Sequence, residues 1–208
     1  MKIDVWYDVV CPWCWLGKAR LDAAVSGRTD LEVVTHAFEL DASMPKDLDV
    51  PTSDLVAKKY GISKAQLEGT HARLVAMGKE LGIDYHFEKV RSSNTFDAHQ
   101  LVHHARANGG EAKANDVVDR LFQANFREGR RVAERDVLLG VAEAAGLDRA
   151  DVAAALDEAR YGEAVRADQR RARELGVSGV PFFLVDGKRR VEGAQSVEAL
   201  REAITRGG

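Results

Sequence analysis

The only two cysteines of this 208-residue chain stand two residues apart, as Cys11-Pro12-Trp13-Cys14. They lie where an apolar run, Ile3–Val10, meets an apolar-periodic stretch from Leu16 to Val25. The first run is rich in Val, Ile, Trp and Tyr, and Ile3–Val9 is short enough for a buried strand. The second has the spacing of a helix, and Pro12 suits its first turn, where an N–H would have no intrahelical partner. Two thiols at such a junction can close a small disulfide and present it to another molecule. Any fold this chain adopts has to hold those two sulfurs together at the end of a strand.

The elements around the pair follow an order. Leu31–Leu40 reads as a second strand after the Gly27–Asp30 turn, and strand–helix–strand with this spacing favours a right-handed parallel crossover. The next hundred-odd residues read as helices. Ser63-x-x-Gln66 is a capping box opening a helix to about Leu81, and Asn94 caps another from Thr95 to about Ala107. Further helical patterns cover Ala112–Phe126, Asp136–Ala145, Arg149–Leu156 and Glu163–Leu175, with Gly109-Gly110, Gly129, Gly146 and Gly162 as punctuation. Strand character returns at Val180–Val185, Asp186-Gly187 is a hairpin turn signal, and Arg189–Glu192 pairs back antiparallel. Ser196 caps a last amphipathic helix carrying Val197, Leu200 and Ile204 on one face. The whole is an α/β chain: βαβ, a helical block, then ββα.

With 45% hydrophobic and 30% charged residues, the chain can bury a real core. A net charge of −3 supplies no global field for nucleic acid. The arginines of 127–131 and 170–173 alternate with acidic residues and read as solvated helix faces. Asp4 and Asp8 interrupt the apolar run that a signal peptide needs, and no stretch is apolar enough to span a bilayer. The expectation is a cytoplasmic protein without membrane or nucleic-acid partners.

In that compartment stable structural disulfides are rare, and a Cys-x-x-Cys after a strand reads as a thioredoxin-like redox motif. Only a thiolate attacks a disulfide. With the helix starting near Pro12, Cys11 sits at its N-cap, facing unpaired N–H groups and the positive end of the helix dipole, which favour the charged sulfur. Cys14, a turn further in, reaches the same sulfur but is less exposed. Cys11 is therefore the expected nucleophile and Cys14 the resolving thiol, with Trp13 an apolar surface beside the attacked sulfur. A zinc site is the competing reading. It needs about four ligands, and the chain has no second Cys-x-x-Cys, so His99 and His103, four apart on an expected helix, would have to join. Two inert thiols would leave the proline and tryptophan unexplained. The expectation is no metal and no cofactor beyond the redox-active disulfide itself.

A second signature lies far along the chain, at Gly176-Val177-Ser178-Gly179-Val180-Pro181-Phe182-Phe183. Proline is tolerated at the start of a strand, and an X-Pro bond costs only about 0.5–1 kcal/mol to hold cis. A cis Val180-Pro181 turn would expose the Val180 backbone to an extended substrate in the manner of strand addition. An ordinary trans proline is the alternative, and the CPWC motif favours the cis form. Asp8, three residues before Cys11, reads first as a polar anchor at the strand end and otherwise as a carboxylate that relays a proton to the thiols. Val180, Trp13, Asn94 and His99 are the candidate substrate contacts. The bland readings are a cap for Asn94 and helix packing for His99.

With these two motifs the chain resembles the DsbA family of thioredoxin-fold proteins, and more narrowly its FrnE-type cytoplasmic branch. Tyr7–Gly17, Asn94–His99, Gly146–Asp148, Val177–Phe183 and Glu192–Gln195 carry the resemblance. It implies a thioredoxin fold, over 1–42 and 163–208, with an all-helical domain inserted at 43–162. It also implies dithiol–disulfide oxidoreductase or isomerase activity, with a protein or small-molecule thiol or disulfide as substrate and glutathione or a thioredoxin-type reductant as candidate partner. The same branch is similar to kappa-class glutathione transferases and 2-hydroxychromene-2-carboxylate isomerases, which typically carry a serine where this chain has Cys11. A glutathione-dependent isomerase or transferase of a small aromatic compound is thus one alternative. A chaperone-like binding protein with incidental redox chemistry is the other.

Overall fold

The computed structural model describes residues 1–205, so 206–208 of the expected 163–208 segment lie outside the described residues. Strand β1 (Lys2–Tyr7) leads into α1 (Pro12–Val25) and returns as β2 (Glu32–Ala37), parallel to β1. Two further strands, β3 (Phe182–Val185) and β4 (Arg189–Glu192), complete a four-stranded sheet in the order β2-β1-β3-β4. β3 pairs antiparallel with both β1 and β4. Val185 pairs with Arg189 across a three-residue loop, in which Asp186 and Gly187 take positive φ, 47° and 68°, and the Lys188 N–H closes the turn on the Val185 carbonyl at 3.0 Å. This is a thioredoxin sheet, and a run of helices separates its two halves.

Period-two alternation decides which side chains meet which helices. Ile3, Val5, Phe183 and Val185 point to one face, packing with Leu21 of α1 and with Leu200 and Ile204 of α8 (Val197–Thr205). Trp6, Phe182 and Leu184 point to the other, against Ala172 of α7 (Gly162–Glu174). Ser196 caps α8 as expected, its Oγ accepting the Ala199 N–H at 3.2 Å.

The inserted helices are α2 (Thr52–Tyr60), α3 (Lys64–Lys79), α4 (Phe96–Phe122), α5 (Arg135–Ala144) and α6 (Arg149–Asp157). Their core is continuous with the motif end of the sheet: Tyr7, Val9, Cys11, Cys14, Trp15 and Leu16 share one apolar cluster with Leu74, Leu101, Phe122 and Phe126. The capping box of α3 is present in both directions, between Ser63 and Gln66.

Several expectations needed correction. The first two strands are shorter than their apolar runs, because Asp8–Val10 turn into α1 and Phe38–Leu40 leave the sheet after β2. α2 went unread: it follows Pro51 and buries no residue fully, so it lacks the apolar stripe that periodicity detects. The two helices expected either side of Gly109-Gly110 are present, and α4 denotes both, joined across a kink at Gly110 (φ 71°, ψ −169°) that glycine takes readily. α4 ends at Phe122, and Gln123–Arg127 form a π-type turn. Thr95, not Asn94, holds the N-cap position of α4, although Asn94 Oδ1 accepts the first helical amide, Phe96 N–H, at 3.0 Å.

Candidate active site

Cys11 is the N-cap residue of α1, extended at φ −95° and ψ 112°, and no side chain caps the helix. The Trp13 amide of this first turn therefore stays available to a charge placed before it. Pro12, at the head of the helix, removes one amide that would otherwise be unpaired. Cys14 N–H bonds back to the Cys11 carbonyl at 3.0 Å, which brings its side chain round to the first. The two cysteines are unbonded and 3.3 Å apart. Cys11 is 5% exposed and Cys14 1%. Burial pushes the Cys14 thiol well up, and the neighbouring Cys11 sulfur and the Asp8 charge push the same way.

The Val180–Pro181 peptide bond is cis. The Val180 carbonyl accepts from Cys11 Sγ at 3.7 Å, so the loop before β3 lies directly on the reactive end of α1. Gly17 permits that approach: a Cβ there would stand 2.7 Å from Pro181 Cγ. Trp13 is 36% exposed beside the pair. In front of it opens a cavity of about 270 Å³ lined by Cys11, Trp13, Val56, Tyr60, His71 and Phe126. A larger cavity of about 590 Å³ adjoins it, sharing Val10, Leu40, Thr52, Val56 and Tyr60. The insertion thus walls the thiols with apolar side chains from α2 and α3.

Two of the candidate substrate contacts fall elsewhere. Asn94 lines neither cavity; its amide is used inside the protein, Nδ2 donating to the Met44 carbonyl at 2.7 Å and Oδ1 taking the Phe96 amide. His99 is 1% exposed and also lines neither cavity. It meets Asp8 instead, with Nε2 at 3.5 Å from Asp8 Oδ1. Asp8 itself anchors backbone, as first read: Oδ2 accepts the Leu40 N–H at 2.8 Å, and its own carbonyl accepts the Cys11 N–H at 3.0 Å. His103 turns to a different carboxylate, Asp168, at 2.9 Å. The two histidines and the two cysteines do not converge, and among the described residues no group of three or more His, Cys, Asp or Glu is arranged to hold a metal ion.

Tyr85 escaped the sequence reading. Its hydroxyl donates to the Pro12 carbonyl at 2.6 Å, and its ring meets Trp15 edge-on and stacks on Phe87. It ties the insertion to the first turn of α1, and Gly78 beneath it leaves room, since a Cβ there would lie 2.7 Å from the ring. The contacts with Pro12 and Trp15 join residues some seventy positions apart, which no local pattern encodes. Gly17 gave a usable signal: a glycine inside an apolar helical pattern implies close backbone approach or a bend.

Residues 2–205 match the DSBA-like thioredoxin domain. The chain belongs to that family. It is 31% identical over 207 residues to the uncharacterised protein YwbO of Bacillus subtilis (strain 168), covering 99% of this chain and 96% of YwbO. Among solved structures it is similar to the probable DsbA oxidoreductase SCO1869 from Streptomyces coelicolor, with 36% identity, a TM-score of 0.94, and cover of 100% of this chain and 89% of the other. A 2-hydroxychromene-2-carboxylate isomerase shares the fold at 20% identity and a TM-score of 0.74, over 99% of this chain and 95% of the other. So does the cytosolic disulfide reductase DsbM from Pseudomonas aeruginosa, at 23% and 0.70, over 99% of this chain and 98% of DsbM. The chain is thus a DsbA-like thioredoxin-fold protein with a helical insertion, from a family of thiol oxidoreductases. Among the described residues no helix is long and apolar enough to cross a membrane.

Proposed function

We propose that this protein exchanges disulfides through the Cys11–Cys14 dithiol, with Cys11 as nucleophile and Cys14 as resolving thiol. The observation that carries the reading is the reach of two free thiols, 3.3 Å apart at the mouth of α1, with the Val180 carbonyl beside the outer one. In the reducing direction the Cys11 thiolate attacks a substrate disulfide. A Cys11–substrate S–S bond forms, the substrate bond breaks, and one substrate thiolate leaves. Cys14 then attacks Cys11 Sγ, closing the internal disulfide and releasing the second substrate thiol. Two electrons pass from enzyme to substrate, and the reverse sequence oxidises a dithiol. The free backbone edge at Val180 suits an extended peptide, and the apolar cavity beyond Trp13 suits the side chains flanking its sulfur. Glutathione is the candidate small-thiol reductant that would reset the enzyme, and the cytoplasm the compartment where it would act.

Trapping tests the assignment. Cys14→Ser is expected to accumulate a Cys11-linked mixed disulfide detectable by mass spectrometry under non-reducing conditions, while Cys11→Ser loses exchange altogether. A Cys14→Ser variant that keeps full turnover with glutathione would instead support isomerase or transferase chemistry, which has no use for a resolving thiol. No adduct on Cys11 under any condition would overturn the nucleophile.

A further inference from the structure

The larger cavity, of about 590 Å³, adjoins the dithiol cavity and carries polar groups that neither the fold nor the exchange steps use. Asp8, Thr52 and Ser93 line it, from the turn after β1, the head of α2 and the segment before α4. Asp8 Oδ1, Thr52 Oγ1 and Ser93 Oγ are buried, and among the described residues none has a hydrogen-bond partner. The residues flanking Ser93 are employed. Ser92 Oγ donates to the Leu48 carbonyl at 2.8 Å and accepts the Val50 amide at 3.2 Å, and Asn94 Nδ2 holds the Met44 carbonyl. Arg131 donates to the Lys46 and Leu48 carbonyls, each at 2.9 Å. These bonds fix the 41–50 segment, from which Met44, Pro45 and Leu48 form part of the cavity wall. The cavity is thus preformed, with three of its polar groups left over, and such groups in a native protein call for an explanation.

We propose that this cavity receives the tail of a low-molecular-weight disulfide, one with hydroxyl and amide groups on an apolar stem, whose sulfur meets Cys11. The assignment rests on the exchange mechanism above. Volume and lining have the proportions of a small-molecule site, about 300–1,000 Å³ of mostly apolar wall with a few placed polar groups. Continuity supplies the route. Val10, Leu40, Thr52, Val56 and Tyr60 line both cavities, and Cys11 lines the smaller. A stem lying along Val10, Leu40 and Val56 leads from the sulfur to the three polar groups. Their chemistry selects the tail. A carboxylate oxygen accepts, whereas the Thr52 and Ser93 hydroxyls donate and accept, so a tail of hydroxyls and amides can meet all three. Lys58 and Lys59 of α2 wall the same cavity and oppose a cationic tail. Helix α2, which buries no residue fully, then serves as a wall for the ligand. In the reaction the Cys11 thiolate attacks the sulfur of the half whose tail is held. That half stays on Cys11 while the other departs past the Val180 edge, and Cys14 then closes the internal disulfide and releases it. Two electrons leave the dithiol, and the two halves take its two protons and depart as thiols.

The test compares two disulfides on one enzyme. Pantethine carries amides, methyls and hydroxyls on each tail, whereas hydroxyethyl disulfide has arms too short to leave the dithiol cavity. Reduced enzyme is mixed with each, quenched in acid, and its Cys11–Cys14 disulfide is quantified by mass spectrometry. Pantethine should oxidise the enzyme with saturation and, at low concentration, about tenfold faster than hydroxyethyl disulfide, as two new hydrogen bonds in the tail site imply. Ser93→Ala and Thr52→Val should each lower the ratio of the two rates by about three- to tenfold. Asp8 is left intact, because its carbonyl and Oδ2 hold the turn that delivers Cys11. Thermal unfolding of both variants should be unchanged or raised, since each loses a hydroxyl that the fold leaves unpartnered. A fall in thermal stability would show that the hydroxyls serve the fold, and would overturn the site. So would a ratio that neither substitution moves, or pantethine reacting no faster than hydroxyethyl disulfide, with the exchange mechanism left standing. Oxidation by neither disulfide would overturn the exchange mechanism along with the site.

Discussion

His99 and His103 stand one turn apart on α4, each against a carboxylate from another element, and the protein treats them in opposite ways. Both ring nitrogens of His103, both of His36 and both oxygens of Asp168 have partners. Asp168 of α7 accepts from His103 Nε2 at 2.9 Å, from His36 Nδ1 at 2.8 Å and from the Ala37 amide at 2.9 Å. His36 Nε2 faces Asp4 Oδ1 at 2.7 Å, so both its nitrogens meet acceptors and both must carry protons. Arg106 donates to His103 Nδ1 at 3.0 Å, which leaves His103 neutral with its proton on Nε2. One turn back, His99 and Asp8 close no hydrogen bond with each other, and Asp8 spends its other oxygen on the Leu40 amide. The closed network clamps β2 against α4 and α7, whereas the open pair lies beside the thiols.

The largest effect should come from breaking the closed side. Asp168→Ala strips an acceptor from His36, His103 and the Ala37 amide together, leaving a buried imidazolium with one carboxylate fewer. A loss of about 3–5 kcal/mol is expected, read from urea unfolding, with the resolution rate of the folded fraction little altered. A loss below about 1 kcal/mol would mean the network is no clamp. His103→Phe should come next, at about 1–3 kcal/mol, because Arg106 loses an acceptor and Asp168 a donor.

The closed network should also leave a pH signature that the open pair lacks. Burial pushes the His36 imidazolium down, but Asp168 and Asp4 outweigh it and hold its pKa above the ordinary 6.5. Its contribution to stability is therefore complete below 6.5 and fades as pH rises through the raised value. Burial pushes Asp168 up, yet His103 and His36 outweigh it and hold its carboxyl far below the ordinary 3.8. That contribution is complete above 3.8 and fades as pH falls. The stability difference between the protein and Asp168→Ala should consequently be widest between those two limits and shrink on either side. A difference independent of pH would sever the link between His36 and the carboxylates.

These contrasts show which parts of the molecule local sequence carries. The CPWC junction, the capping box at Ser63 and Gln66 and the Asp186-Gly187 hairpin are encoded within a few residues, and each was readable without a structure. Asp8 and His99 were singled out separately, one from its spacing to Cys11 and the other from its place on a helix. Their meeting was not, since it depends on how α4 crosses the end of β1. Asn94 acts as its cap reading had it, taking the first helical amide, and its Nδ2 goes to the Met44 carbonyl, a loop contact that no local pattern encodes. Asp168 looked like one of several acids on a solvated arginine-rich helix, and only the packing of α7 on β2 turns it inward.

The smallest stability effect should belong to the open side, and it sharpens the comparison most. His99→Phe replaces a buried ring whose two nitrogens have no partners by one of similar shape that needs none. Tyr7, which meets His99 edge-on, can meet a phenyl edge in the same manner. Since exchanging an unsatisfied polar group for an apolar one of the same shape is close to neutral or stabilising, unfolding should change by no more than about 1 kcal/mol, on the stabilising side if at all. A neutral change would show that the fold makes no use of the two nitrogens of His99. If His99→Phe instead costs as much as His103→Phe, His99 is satisfied in solution by some partner such as a bound water. The two histidines of α4 would then be doing the same structural job.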